Sequence, residues 1–347
     1  MKRIIYFLFL FVYGCANMIA PSGGLKDESP PNLTKVSPSN YQKNSQLKSI
    51  AFIFDENIAE NNLKQKIFSS PPLEKITHKI NGNKLELFLE YDKFKEATYH
   101  LNFNSGIKDI NEGNITSELD YVFSTYNTID TLSFSGRVVD AFSGLNTENV
   151  WLLLYETTIN DTLVFDKKPF YISKSDSIGD FSFNNLKNLD YNLFALNGND
   201  LQYSAGEKIG FKKKPISSLK NNSTIYLFDP YFNFDSIKIE NNLKIDSVSK
   251  TGNLLINLKK AEPVIILLYK NDEVMYLRSF NDSICRINNI STGEYSVKII
   301  IDTNNNQKWD NGNFKKKENP EKSYIYNEKI NIRENWDLNI DCEINGD

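Results

Sequence analysis

Three things that would direct a functional reading are scarce in this chain. Histidine is the first: 347 residues contain only His78 and His100, and no serine sits in a Gly-x-Ser-x-Gly elbow. Adjacent acids such as Asp55-Glu56 point to opposite faces of a strand and do not converge for acid–base work. Clustered basic charge is the second. The net charge is −4, and Lys212–Lys214 and Lys315–Lys317 are short runs typical of solvated turns, so nucleic acid is not expected as a partner. Third, no apolar stretch approaches the roughly 20 residues that span a bilayer as a helix. These absences leave a non-enzymatic protein as the first expectation. The competing class is an envelope enzyme, or an enzyme accessory subunit, with a weak calcium site.

What is present begins at the N-terminus. Lys2 and Arg3 precede an apolar run from Ile4 to Tyr13, which ends in Val12-Tyr13-Gly14-Cys15. A run of about ten residues suits a secretory signal. A branched residue three places before a cysteine, with glycine just before it, suits lipidation of the Cys15 thiol and cleavage after Gly14. Loss of Lys2 and Arg3 would take the net charge from −4 to −6. Residues 1–14 therefore read as a lipoprotein signal peptide. Residues 15–31, with Pro21, Gly23, Gly24, Pro30 and Pro31, read as a flexible tether. The expected partner is a membrane, reached through the lipid.

Beyond the tether, large side chains alternate with a period of two. Ile50–Phe54, Leu85–Glu90 and Tyr99–Phe103 each place apolar groups on one face. His100 falls on the polar side of its strand and is expected to face solvent. Asn81-Gly82 reads as a hairpin turn, and the only helical piece expected is short, near Asn61–Lys66. Further strands are expected at Phe134–Val138, Val150–Tyr155, Gly179–Phe183, Tyr191–Leu196, Leu254–Leu258, Val264–Tyr269, Val274–Phe280, Tyr295–Ile301 and Trp336–Cys342. The expected fold is all-β, with sandwiches over 32–128 and 129–215 and a β-rich domain over 216–347.

Several marks occur in order: Cys15-Ala16-Asn17, Pro21-Ser22-Gly23-Gly24, Lys26-Asp27, Pro30-Pro31, Ser37-Pro38, Ile53-Phe54-Asp55-Glu56, Ser70-Pro71-Pro72, Asp109–Asn114 and Tyr121–Thr125. As a set they resemble lipoproteins of the Bacteroidota that carry a bacterial Ig-like domain of the S-layer type. The block from Ser135 to Leu196 resembles a transthyretin-like, carboxypeptidase-regulatory sandwich. In such relatives an Asp/Asn-rich loop is followed by a Glu; Asn197–Asp200 and Glu207 stand in that region. The resemblance implies an outer-membrane location and supplies no reaction. Ala16–Ile19 carries no carboxylate, which favours the periplasmic face over the cell surface. An envelope protein or glycan is the partner class left open.

Three candidate sites remain. Asp302, Asn304, Asn306 and Asp310 follow the alternating spacing of a calcium loop, although Gln307 replaces the turn glycine and Asn313 the bidentate acid. A weak Ca2+ site and an ordinary Asn-rich turn both fit. Six Asp-Ser/Thr-aliphatic tripeptides carry Thr131, Thr162, Ser177, Ser236, Ser247 and Ser283, where composition predicts about one. In the Bacteroidota this pattern resembles an O-glycosylation acceptor; as plain chemistry it also describes a turn leading into a strand. Cys285 and Cys342 both fall on apolar faces, as a disulfide or as two buried thiols.

Overall fold

The computed structural model describes residues 26–91, 96–116, 119–157, 167–217, 223–237 and 250–343. The signal segment, Cys15, Thr162 and Ser247 lie outside these residues. The first unit contains β1 (Leu33–Ser37), β2 (Ser49–Phe54), β3 (Ile58–Glu60), the one-turn helix α1 (Leu63–Lys66), β4 (Phe68–Ser70), β5 (Lys75–Asn81), β6 (Lys84–Glu90), β7 (Thr98–Asn102), β8 (Ile107–Asp109) and β9 (Asp120–Ser124). A β1-β2-β6-β5 sheet and a β4-β7-β9 sheet enclose a core in which Phe52, Phe54, Leu85, Leu87, Tyr99, Leu101 and Phe123 are buried. This is the alternation expected from the sequence.

Two expectations shift. The hairpin loop is Gly82-Asn83, because Asn81 already pairs with Lys84. Gly82 has φ 60, the left-handed value a type II′ turn requires at its first loop position. His100 is 8% exposed and does not face solvent, because the outer face of β7 lies against the next unit.

That unit holds β10 (Leu132–Asp140), β11 (Trp151–Glu156), β12 (Tyr171–Lys174), β13 (Asp180–Leu186), β14 (Asp190–Asn197), β15 (Lys208–Phe211), β16 (Ile216–Ser217) and β17 (Ser223–Leu227). The third holds β18 (Thr251–Leu258), β19 (Val264–Lys270), β20 (Glu273–Phe280), β21 (Ile284–Ser291), β22 (Gly293–Ile301), β23 (Ser323–Ile325), β24 (Ile330–Ile332) and β25 (Asp337–Cys342). The two are wired strand for strand. Sheets β13-β10-β17 and β21-β18-β25 correspond, as do β12-β11-β14-β15 and β20-β19-β22-β23, with β16 and β24 each joining the central strand. In both, the first strand runs parallel to the last. The second sandwich therefore extends past the expected boundary at 215, since β17 completes its smaller sheet. Gly136 allows that closure: a Cβ there would lie 2.1 Å from the Ser223 carbonyl oxygen.

The larger sheets are apolar on both faces. Leu152 and Leu154 point into the second sandwich, and Val264, Ile266 and Leu268 into the third. Their alternates Leu153 and Tyr155 from β11, and Ile265 and Leu267 from β19, meet in one further core shared by the two sandwiches. Phe314 caps it against Phe194 and Phe211, with ring centroids 5.8 and 5.7 Å away. The first unit docks on the second more lightly. Phe68 meets Trp151 at 5.6 Å, the Ile172 amide donates to Ser70 Oγ at 3.1 Å, and Lys168 pairs with Glu74 at 2.5 Å.

Leu267→Ala should lower stability by about 2–5 kcal/mol, the usual range for a truncated core leucine. Trp151 and Trp309 fluorescence should report the loss in one shared melting transition. A fragment of 250–343 should self-associate in size-exclusion chromatography, whereas 129–343 should run as a monomer; separate transitions for the two tryptophans would refute the shared core.

Candidate functional site

The calcium-like loop joins β22 to β23. Asp302 is 1% exposed; its Oδ1 accepts the Asn306 amide at 3.0 Å and its Oδ2 the Gln307 amide at 2.7 Å. Asn305 and Gln307 take φ of 56 and 64, so a glutamine occupies the left-handed turn position that glycine normally fills. Asp310 accepts the side-chain amides of Asn304 and Asn306, the latter at 3.1 Å to both carboxylate oxygens. The four sequence-predicted residues thus do come together, bonded to one another and to the loop backbone.

A residue not foreseen holds the loop from the other side. Glu321 is buried. Its Oε1 accepts the Thr303 amide and hydroxyl, both at 2.6 Å, and its Oε2 accepts the Asp310 amide at 2.9 Å. Burial pushes its carboxyl above the ordinary range, opposed by these hydrogen bonds. Its main-chain carbonyl receives Trp309 Nε1 at 2.8 Å. Trp309 is thereby fixed against Phe142 and Phe232, at 5.1 and 5.3 Å, in the shared core. Among the described residues, no three His, Cys, Asp or Glu side chains converge as a metal site. The corresponding loop of the second sandwich is thinner: among the described residues, Glu207 Oε2 accepts the Ser204 amide, at 2.8 Å.

The tripeptides recur at matching places. Ser177 lies in the turn before β13 and Ser283 in the turn before β21, the equivalent strand. Thr131, Ser177 and Ser236 are exposed, and Ser283 is half-buried. The aliphatic residues after Ser177 and Ser283, Ile178 and Ile284, are 56% and 59% exposed. Feeding the next strand's core therefore does not explain their apolar character.

The disulfide alternative is corrected. Cys285 and Cys342 are free and buried. Cys285 pairs with Ile256, and Cys342 with Leu258, on opposite sides of β18. Two strand spacings separate them by on the order of 10 Å, beyond the roughly 7 Å that a bridge spans. His100 Nε2 is 3.1 Å from Asp120 Oδ1, at an angle that makes no hydrogen bond.

Comparison with known proteins adds one family. Residues 27–125 match the bacterial Ig-like domain family, covering the first sandwich. No curated protein matches the chain. Among solved structures, the TIE protein of Bacillus anthracis is similar at 13% identity and a TM-score of 0.19, over 93% of this chain and 59% of that one. The major pilin subunit BcpA of Bacillus cereus is similar at 12% identity and 0.20, over 57% and 70%. The N-terminal part of the bacterial S-layer protein SbsC is similar at 14% identity and 0.19, over 57% and 44%.

Burial pushes both thiols up to about 11, so little thiolate forms at pH 8. Iodoacetamide at that pH should leave Cys285 and Cys342 unmodified in the folded protein and label both in denaturant. The denatured mass should be the same with and without reductant; a loss of two hydrogens before reduction would restore the bridge.

Proposed function

We propose that the chain is a non-enzymatic envelope lipoprotein of Bacteroidota type, anchored through Cys15 in the outer membrane and facing the periplasm. Its sandwiches form a stiff structural or binding arm for an envelope protein or glycan. The observation that carries this reading is the core shared by the second and third sandwiches. An apolar interface of that kind suppresses relative motion, which two separately solvated domains would retain. The acids of the best candidate site favour the same reading, since Asp302 and Glu321 hold the loop that positions Trp309. The second and third units are assigned to the transthyretin-like class, supported by their three- and four-strand sheets with β16 or β24 attached and by their parallel terminal strands. The exposed positions of Thr131, Ser177 and Ser236, followed at Ser177 by an exposed isoleucine, support their use as O-glycan acceptors, although the Ser236 hydroxyl donates to the Asn233 carbonyl at 2.6 Å.

A second reading, a weak calcium site at Asp302, Asn304, Asn306 and Asp310, is favoured by the left-handed Gln307 with both Asp302 oxygens bonded to the turn amides. Binding would require the Asn304 and Asn306 amides to turn their oxygens toward Asp310.

Protein from the native host should have an intact mass raised by lipid and by glycan, and Cys15→Ala should move it from the membrane to the soluble fraction. Retention of Cys15→Ala on the membrane would overturn the anchor, and an unglycosylated mass the acceptors. Protease added to intact cells should leave the protein whole; digestion would place it on the outer surface. For calcium, millimolar Ca2+ should raise the melting temperature of the native chain and leave Asp310→Asn unchanged. Equal responses would remove this reading.

A further inference from the structure

Beside the shared core, the junction of the second and third sandwiches opens into a cleft of about 590 Å3. This is a volume that takes a small organic ligand. Its walls include Leu145 from the second sandwich and Tyr269, Tyr295, Lys270, Lys298 and Ile325 from the third. Lys298 interrupts the apolar run of β22 on the face turned toward the second sandwich.

Lys298 is 7% exposed. Its Nζ lies 4.1 Å from the centroid of Phe142 and 4.9 Å from that of Tyr269. Among the described residues no carboxylate lies within ion-pair distance of it. The one acid that acts on it from nearby, Asp140, is held by Lys208 at 2.6 Å. Lys270, over the Tyr295 ring at 5.6 Å, also has no ion-paired carboxylate among the described residues. Lys329 is paired with Glu294 at 2.8 Å. Asp272, the other acid of the lining, has no ion pair among the described residues and acts on Lys329 from nearby. The cleft therefore carries surplus positive charge in a chain whose net charge is negative.

A buried ammonium that lies over aromatic rings and has no ion pair among the described residues is poorly solvated. Its amine is pushed down to about 8, first by burial, with Asp140 acting the other way. An anion entering the cleft would supply the missing counter-charge, and the tyrosines offer faces for the body that carries it.

We propose that this cleft binds a small organic oxyanion, a carboxylate or phosphate on a ring or short apolar body, with Lys298 as its buried counter-charge and Lys270 as the second cation. This deepens the binding-arm reading by naming a site and a ligand class. It is independent of the anchor, so a failure of Cys15 lipidation leaves it standing.

The test uses the full mature chain with two charged probes, 4-hydroxybenzoate and glucose 6-phosphate. Their uncharged counterparts are 4-hydroxybenzyl alcohol and glucose. Ligand-observed NMR should show saturable binding of at least one charged probe, with its uncharged counterpart at least about tenfold weaker. Lys298→Met should weaken binding about tenfold or more, whereas Lys316→Met, outside the cleft, should leave it unchanged. Should Lys298→Met fail to fold, the native chain still decides. Acetic anhydride labelling of Lys298, read by mass spectrometry, should slow when the anion is bound. Preference for the carboxylate or the phosphate identifies the headgroup. The proposal is overturned if neither anion saturates by about 10 mM, if charged and uncharged probes bind alike, if a folded Lys298→Met binds as the native chain does, or if bound anion leaves Lys298 labelling unchanged.

Discussion

The arrangement depends on burying two sheet faces that cannot be left in water. A strand in an ordinary sandwich turns alternate residues outward, and those are polar. In β11 and β19 the outward residues are Leu153, Tyr155, Ile265 and Leu267, so each five-stranded sheet has two apolar faces. At about 25 cal/mol per Å2 of apolar surface, exposing such a face would oppose folding of either sandwich alone. The second and third units answer this by covering one another. The 302–321 loop, Trp309 and Phe314 complete the cover from the side.

The shared wiring of the two sandwiches makes their differences informative. In the second, Ile209 and Phe228 exchange backbone hydrogen bonds, both at 2.8 Å, and join β15 to the end of β17. The loop after β14 is held by short-range bonds, the Ser204 amide to Glu207 and the Gln202 amide to Asp200. In the third, the corresponding loop is longer, its acids accept several donors, and its tryptophan reaches the neighbouring sandwich. The same framework thus serves in one copy as a receiving surface and in the other as the element that grips it. The clefts and loops at this junction belong to the pair of sandwiches.

Much of the fold was legible because period-two alternation is a local property. The strands β2, β6 and β7 of the first unit, the short helix at α1 and the strands β10, β11, β13 and β14 follow directly from it, whereas strands of three or four residues such as β3, β4, β8 and β12 do not. The apolar run Val150–Tyr155 also reads as a buried strand, but a run of apolar residues does not say what covers it. Pairing between distant segments was harder. β17 joins β10 from about ninety residues away, and nothing near 215 announces that the second sandwich is unfinished. His100 looked solvent-facing because its strand alternates correctly; the covering sheet belongs to another unit. At the loop, the alternating Asp302, Asn304, Asn306 and Asp310 were visible as a set. Glu321 was not, because its role depends on the chain returning eleven residues later. Lys298 was hidden for a related reason, since only packing against Phe142 distinguishes it from any lysine on a strand.

The parallel pairing of first and last strands has a mechanical consequence. In the second sandwich β10 lies beside β17 in the same direction, as β18 lies beside β25 in the third. The chain enters at one end of a pair of neighbouring strands and leaves from the opposite end. Tension along the polypeptide slides these strands past each other. In that shear geometry the rungs of the ladder share the load and must yield together, whereas a peeled hairpin breaks one rung at a time. Such units resist extension most strongly when pulled from their two ends.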